Sequence, residues 1–330
     1  MRNARVRWVC CGLLAAAVVL AGAPAAIMAA EDFPAKPIRL VVGYAAGGSA
    51  DASARHLADW VSKKIGQPVL IENKGGAAGS IAAASVARAP ADGYTLLYAT
   101  SDLAMYPALH RSTTYDAVKD FAPITALQTR ALVLVAHPSL GVKSVRELIA
   151  LAKSKPGQLN FESSGFGSVE HLASEVFQKQ AGISMTHVPY KGSAPAVVDL
   201  VAGRVQLGFE VSLNVEGHIK AGKLIPLMTT GRDRFKSLPG VPAAPESGLP
   251  AMVLSAPWAG VLAPAGTPAD RIALLNTVFA QARNAKETVS HPVFADAIAT
   301  TGTPQAFGVF IKSELLRWSK IVADAGIPPE

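Results

Sequence analysis

Residues 38–51 read IRLVVGYAAGGSAD, and this stretch decides the fold class. Its first five residues, Ile38–Val42, are an apolar, β-branched run that predicts a buried strand. The glycine-rich turn Gly43–Gly48 leads into Ser49–Ile65, an amphipathic helical pattern that Gly66 ends. A strand, a glycine turn and a helix in this order are the start of a βαβ unit. They therefore predict an α/β protein with mainly parallel sheets.

The same order begins again in the second half of the chain. Leu159–Glu162 predicts a strand, Ser163–Ser168 forms a second glycine turn, and residues 169–181 carry a second amphipathic pattern. Two units of this kind predict two lobes. We expect the linkers between them near Leu132–Val135 and Val253–Trp258.

The N-terminus has the composition of a secretory signal peptide. Three arginines within the first seven residues precede Trp8–Ala23, which is apolar and uncharged, and small residues follow. This order predicts export, with residues 1–30 removed by cleavage near Ala29 or Ala30. An uncleaved N-terminal anchor is the alternative, although Trp8–Ala23 is shorter than the roughly 20 residues of a membrane span.

Composition excludes several classes of function. The two cysteines, Cys10 and Cys11, lie within the predicted signal, so the mature chain has no thiol nucleophile and no cysteine metal site. Removing the signal lowers the net charge from +7 to +4, because three arginines are lost. The remaining basic residues are scattered, and we expect no nucleic-acid partner. No later stretch reaches 18 unbroken apolar residues, which predicts a soluble mature chain.

Both glycine turns open helices, and this is the pattern of an anion site. Helix starts carry N–H groups without intrahelical partners and a partial positive charge, and glycines allow an anion to approach the backbone. Ser49 and Ser168 are also suited to cap these helices. Neither turn has the sequence of a P-loop, a dinucleotide fingerprint or a nucleophile elbow. The seven histidines lack metal-ligand spacing, so no metal or cofactor is predicted.

The order of motifs resembles one family along the whole chain, the Bug or TctC-type extracytoplasmic receptors of tripartite tricarboxylate transporters. The motifs that carry the resemblance are, in order, Phe33–Arg39, Ala46–Asp51, Gly66–Val69, Glu72–Gly76, Asp92–Leu96, Ser163–Leu172, His187–Ala196 and Leu262–Pro268. The resemblance implies a two-lobed periplasmic binding protein, type II-like, with residues 31–133 plus 255–330 in lobe 1 and 134–254 in lobe 2. Each lobe would be a mainly parallel sheet flanked by helices.

The resemblance also implies a function without catalysis. A monomer in the periplasm would hold a small carboxylate, such as a di- or tricarboxylate, an acidic amino acid or an aromatic acid, through backbone N–H groups and water. It would pass this ligand to integral-membrane transporter subunits. The implied ligand-binding residues are Tyr44, Ala45, Ala46, Gly47, Gly48, Ser49, Asp51, Thr100, Ser101, Ser163, Ser164, Gly165, Phe166, Gly167, Ser168, Tyr190, Lys191 and Glu210.

The sequence departs from the family pattern at two acidic positions. Glu162 stands where a small residue is usual, and Glu210 where aspartate is common. We expect one of them to lie near the cleft, where it would repel a second ligand carboxylate or pair with an ammonium group. Two other functions stay open from the sequence: a sensor that reports ligand to a membrane kinase, and a periplasmic hydrolase.

Overall fold

The computed structural model describes residues 33–254, 257–327 and 329, so the predicted signal peptide lies outside the described residues. The strands are β1 (Ile38–Val42), β2 (Val69–Asn73), β3 (Thr95–Thr100), β4 (Phe121–Thr129), β5 (Leu132–Ala136), β6 (Asn160–Ser163), β7 (Thr186–Pro189), β8 (Leu207–Val211), β9 (Ile225–Thr229), β10 (Trp258–Pro264) and β11 (Ile298–Ala299). The α-helices are α1 (Ser49–Ile65), α2 (Ser80–Ala87), α3 (Asp102–Leu109), α4 (Val145–Ser154), α5 (Val169–Ala181), α6 (Ser193–Val201), α7 (Ser212–Lys220), α8 (Ala269–Asn284), α9 (Lys286–Val289) and α10 (Pro304–Ala325).

The described residues from Lys36 onward form one compact unit that contains two sheets. The first sheet has the strand order β11-β4-β10-β3-β1-β2, and the second has the order β7-β6-β8-β5-β9. Both are mixed. In the first, β1 is parallel to β2 and β3 but β10 is antiparallel to β3 and β4. In the second, β6 is parallel to β7 and β8 but β5 is antiparallel to β8 and β9.

The prediction of mainly parallel sheets is therefore wrong. This prediction was based on the βαβ unit. In that unit a helix returns the chain to the end of the sheet where the first strand began, so the two strands run parallel. Strands β5 and β10 instead follow segments that cross from one sheet to the other, so no helical crossover fixes their direction.

The segment that decided the fold class has the predicted elements. β1 and α1 begin and end where the sequence pattern placed them. All residues of β1 except Arg39 are buried, and both α1 and α2 pack against this strand. Gly66 ends α1 in the left-handed conformation, with a φ of 70°, which a glycine adopts without steric cost.

The first crossing between the sheets lies at Arg130 and Ala131, earlier than predicted. Leu132–Val135, predicted as a linker, is part of the fully buried strand β5 in the second sheet. An uninterrupted apolar run fits a strand that is covered on both faces. The backbone N–H of Arg130 donates to the carbonyl of Pro257 at 2.7 Å, so the two crossing segments are hydrogen-bonded to each other.

The C-terminal helix closes the core of the first sheet. Thr303 caps α10 by accepting from the N–H of Ala306 at 3.1 Å. The inner face of α10 is apolar: Leu315 is partly buried, and four further residues are buried, namely Phe307, Ile311, Trp318 and Val322. Within the described ranges no helix combines the length and the apolar character needed to span a membrane.

Candidate functional site

A cavity lies where the two sheets face each other, at the carboxyl ends of β1, β3, β6 and β8. It leaves about 60 Å³ open to the centres of water molecules. Residues of both sheets and of the crossing segments line it: Tyr44, Gly48, Ser49, Ala50, Tyr98, Thr100, Asp102, Gln128, Arg130, Ser164, Val169, Glu170, Ser193, Val211, Pro257, Trp258 and Ala259. In α/β proteins, this edge of the strands is the usual place for a ligand.

The first glycine turn brings the start of α1 to the cavity. Gly48, Ser49 and Ala50 line it, and no side chain caps this helix. The uncapped start leaves N–H groups that face the cavity with a partial positive charge. Of the other predicted residues in this turn, Ala46 and Gly47 are exposed to solvent and do not line the cavity.

Asp51 supports this turn from behind and does not line the cavity. Its carboxylate accepts from the N–H of Gly47 at 2.9 Å and from the Asn73 amide at 3.0 Å, and it pairs with Arg55. Burial alone would raise the pKa of Asp51, but the bonds from Arg55, Gly47 and Asn73 lower it overall. The carboxylate therefore shapes the turn.

The end of β3 contributes one predicted residue to the wall of the cavity. The hydroxyl groups of Thr100 and Tyr44 are 3.2 Å apart, and both residues line the cavity. Ser101 is fully buried behind the wall, where its hydroxyl accepts from the backbone N–H of Trp258 at 2.9 Å. Ser101 thus fixes the position of Trp258.

The second glycine turn reaches the cavity through Ser164 alone among the predicted residues of this turn. The hydroxyl of Ser164 donates to the Glu170 carboxylate at 2.6 Å. The remaining members, Ser163, Gly165, Phe166, Gly167 and Ser168, lie behind the wall.

Several N–H groups at this second turn and at the start of α5 have acceptors within the protein. The N–H of Gly167 donates to Nδ1 of His171 at 3.2 Å, and that of His171 to the Ser168 hydroxyl at 3.3 Å. The N–H of Val169, the first residue of α5, donates to Oδ1 of Asp102 at 2.8 Å. From the sequence we expected the amides at this helix start to donate to the ligand. In the structure they donate to side chains of the protein.

Histidine and aromatic rings support the second turn. Phe166 packs between His110 and His171, and the rings of His171 and His187 are stacked with centroids 4.1 Å apart. Burial lowers the pKa of His171 to about 3 and that of His187 to about 4, so both rings are neutral at pH 7. The Ser163 hydroxyl lies 2.6 Å from Nε2 of His187, but Ser163 is fully buried and has no access to a substrate.

The loop after β7 meets the first glycine turn across the cleft. The Lys191 carbonyl accepts from the N–H of Ala45 at 3.3 Å, while the Tyr190 hydroxyl donates to Asp199 at 2.8 Å. Neither Tyr190 nor Lys191 lines the cavity. The next residue on the wall is Ser193, the first of α6, another helix that no side chain caps. The sequence did contain a signal for this helix start, because Gly192 and Ser193 follow a strand, as glycine and serine do in the other two turns.

Glu162 and Glu210 are both fully buried, and neither lines the cavity. Asn214 donates to Oε2 of Glu210 at 2.6 Å, whereas both oxygens of Glu162 lack a partner among the described residues. Burial and the nearby Glu170 raise the pKa of Glu210 to about 8, and burial and Glu210 raise that of Glu162. Their carboxyl groups thus belong to the core of the second sheet.

Sequence reasoning missed charged residues on the wall. Arg130, at the first crossing, is largely buried, and its Nη2 donates to the Val293 carbonyl at 2.6 Å. It adds a cation to a site where the resemblance implied binding through backbone N–H groups and water. Asp102 and Glu170 are also on the wall, and burial raises the pKa of both carboxyl groups. Across the described part of the chain, no cluster of three histidine, aspartate or glutamate side chains is arranged to hold a metal ion.

Comparison with known proteins gives a consistent result. Residues 53–327 match the family described as "TctC: Tripartite tricarboxylate transporter family receptor". The chain is 38% identical to Protein BugT of Bordetella pertussis over 304 residues, which cover 92% of this chain and 93% of BugT.

Two solved structures from Rhodopseudomonas palustris share the fold. Rpa4515, solved with adipate, is 35% identical with a TM-score of 0.87, and the match covers 91% of this chain and 100% of that one. MatC, solved with bound malate, is 30% identical with a TM-score of 0.84, over 88% of this chain and 100% of that one. These similarities confirm the predicted periplasmic binding protein fold.

Proposed function

Because the chain belongs to the TctC family of tripartite tricarboxylate transporter receptors, we propose that it captures a small carboxylate between its two sheets and delivers it to membrane subunits of such a transporter. Membership confirms the predicted family. Since this is a family of receptors, it also confirms that the chain is not an enzyme. Export through the predicted signal, with cleavage near Ala29 or Ala30, is part of the proposal.

One observation carries the carboxylate proposal: two uncapped helix starts, one from each sheet, border the same cavity. Ser49 begins α1 and Ser193 begins α6, and both line the wall. A carboxylate between them would accept hydrogen bonds from both helices, and the Arg130 guanidinium adds a formal positive charge. Each hydrogen bond to a charged acceptor contributes about 1.5–3 kcal/mol. Three or four of them would give micromolar affinity, about −8 kcal/mol.

The two sheets would act as lobes that close over the ligand. We place lobe 1 at residues 31–130 and 255–330, and lobe 2 at 132–254, which moves the predicted first boundary by a few residues to the observed crossing. Closure would bring both helix starts to one ligand, and the closed shape is what transporter subunits would recognise.

The chemical class of the ligand follows from this site and from the relatives. Adipate and malate, the compounds named with the two related structures, each carry two carboxylates on a short chain. Arg130 contributes a cation to the cavity wall, and Asp102 and Glu170 contribute carboxyl groups. We therefore propose that one carboxylate of the ligand lies at the helix starts.

Isothermal titration calorimetry with the exported chain tests this function. The panel is adipate, malate, succinate, glutamate and benzoate, with adipamide as the neutral control that matches adipate in shape. We expect micromolar binding of at least one carboxylate and none of adipamide. At about 100 times its dissociation constant, that carboxylate should stabilise the fold by about 2.7 kcal/mol. Equal binding of adipate and adipamide, or no binding by the panel, would contradict the proposal.

A further inference from the structure

Asp102 makes a hydrogen bond across the cavity. It is the first residue of α3, which packs against the first sheet, whereas α5 packs against the second. Its Oδ1 accepts from the N–H of Val169 at 2.8 Å, and its Oδ2 accepts from the Thr100 hydroxyl at 3.2 Å. Asp102 and Val169 are each 3% exposed, so water is largely excluded from this bond.

The N–H of Val169 is an amide that the second glycine turn was expected to offer to a ligand. Two nearby amides are engaged within the second sheet's own loop: the N–H of Ser168, the preceding residue, donates to the Gly165 carbonyl, and the N–H of His171, two residues later, donates to the Ser168 hydroxyl. Only the bond from Val169 reaches the other sheet. A carboxyl group of the chain thus stands where a ligand carboxylate was expected.

The groups that face Asp102 come from three elements. Glu170 of α5 is an acid that, with burial, raises the pKa of Asp102, while the Val169 N–H lowers it. Thr100 at the end of β3 donates to it, and Tyr115 lies close by with its own hydroxyl turned to the Leu103 carbonyl at 3.2 Å. The α5 dipole is the favourable partner, since it places partial positive charge at Val169.

We propose that Asp102 is a positioning residue that joins the two lobes: its carboxyl group takes the α5 amide in place of a ligand carboxylate and holds the cleft closed. The ligand carboxylate is then directed to the starts of α1 and α6. This consequence for the ligand rests on the proposed function, whereas the bond between the lobes does not.

Chemical rescue of Asp102→Ala tests the bridge without any ligand. The variant leaves a buried, carboxylate-sized space against the Val169 amide, which formate can enter. We expect the variant to have a larger radius of gyration in small-angle scattering and a lower melting temperature. Sodium formate, compared with equal sodium chloride, should reverse the expansion and raise the melting temperature by about 2–4 °C.

Two further variants give the comparison. Asp102→Asn keeps an oxygen that accepts from Val169, so it should stay compact and should not respond to formate. Asp116→Ala removes another carboxylate that accepts from backbone, from Val118 at 2.9 Å and Lys119 at 3.0 Å, but within one exposed loop. It should neither expand nor respond.

The outcomes separate the bridge from the proposed function. An Asp102→Ala variant as compact as the wild type, or a formate effect of equal size in all three variants, would overturn the bridge. Rescue by formate together with no binding of the carboxylate panel would support the bridge and refute the proposed function alone.

Discussion

At the scale of single residues, Glu162, one of the two glutamates that depart from the family pattern, is accommodated by a glycine. A Cβ at position 208 would lie 1.8 Å from Oε1 of Glu162, so only glycine fits beside this side chain. Gly208 on β8 thus makes room for Glu162 on β6, the strand beside it. We expected either Glu162 or Glu210 to lie near the cleft. Both are instead buried in the core, and neither lines the cavity.

Burial of Glu210 predicts a stability that falls as pH rises. Its folded pKa of about 8 lies above the ordinary value of 4.5, so the folded state keeps a proton that the unfolded state loses between these pH values. The free energy of unfolding should therefore change less between pH 5 and pH 8 in Glu210→Gln than in the wild type, by roughly 1–3 kcal/mol. Urea unfolding at both pH values measures it, with the exposed Glu147→Gln as control. An unchanged difference in Glu210→Gln would show that Glu210 is ionised when folded.

At the scale of elements, the sequence predicted those helices that begin after a glycine turn. The pattern is local there, because strand, turn and helix are contiguous, and α1 and α5 were placed correctly. Other elements were missed where a proline interrupts them, such as β4 with Pro123 and α3 with Pro107. Sequence rules read a proline as a break.

The missed elements account for most of the missed site residues. Gln128 is in β4, Arg130 follows it, and Asp102 begins α3. Their approach to the cavity depends on how the sheets face each other, which no local pattern encodes. The start of α6 is different: its glycine and serine were visible, but the resemblance had placed ligand contacts at Tyr190 and Lys191 just before it.

The first turn of α5 gives a pH prediction of opposite sign. The pKa of His171 falls from 6.5 to about 3 on folding, so stability decreases as pH drops below 6.5 because only the unfolded state takes up the proton. The loss between pH 7 and pH 5 should be up to about 2 kcal/mol. His171→Asn keeps an acceptor for the Gly167 N–H. Its free energy of unfolding in urea should fall by that amount less between pH 7 and pH 5 than that of the wild type. If the variant lost as much unfolding free energy between pH 7 and pH 5 as the wild type, this pKa of His171 would be contradicted.

At the scale of the whole molecule, the proposed closure of the two lobes has a counterpart in loops of the two sheets whose backbone atoms are in contact. The Ala45 N–H donates to the Lys191 carbonyl, and a Cβ at Gly165 would lie 3.2 Å from the Ala78 nitrogen. Trp258, on the cavity wall, is held by Glu314 of α10, which accepts from its indole N–H at 3.1 Å. In the proposed function, closure would therefore depend on small residues at this contact and on the elements packed behind it.

A methyl group at Gly75 should weaken this closure. Its Cβ would lie 3.1 Å from the Lys191 carbonyl oxygen and 3.2 Å from the Ala45 nitrogen, the two atoms that are hydrogen-bonded across the cleft. Gly75→Ala should speed hydrogen exchange at the Ala45 amide about 5–10-fold, roughly 1 kcal/mol. Gly240→Ala, where a Cβ meets no atom within 4 Å, is the control. Equal protection of Ala45 in both variants would show that this contact does not hold the cleft closed.

The most direct measurement asks whether the backbone amide at the start of α1 binds the carboxylate. Ser49→Pro removes that N–H at the first helical position, where proline is tolerated, and Gly48 has a ψ of 172° that suits a following proline. Ala269→Pro, at the start of α8, is the control away from the cavity.

Calorimetry with the tightest-binding carboxylate of the panel should show about a 10- to 100-fold loss of affinity in Ser49→Pro, with little change in melting temperature. Ser49→Ala, which keeps the amide, and Ala269→Pro should bind nearly as the wild type does. Unchanged affinity in a folded Ser49→Pro would contradict a carboxylate held by this helix start.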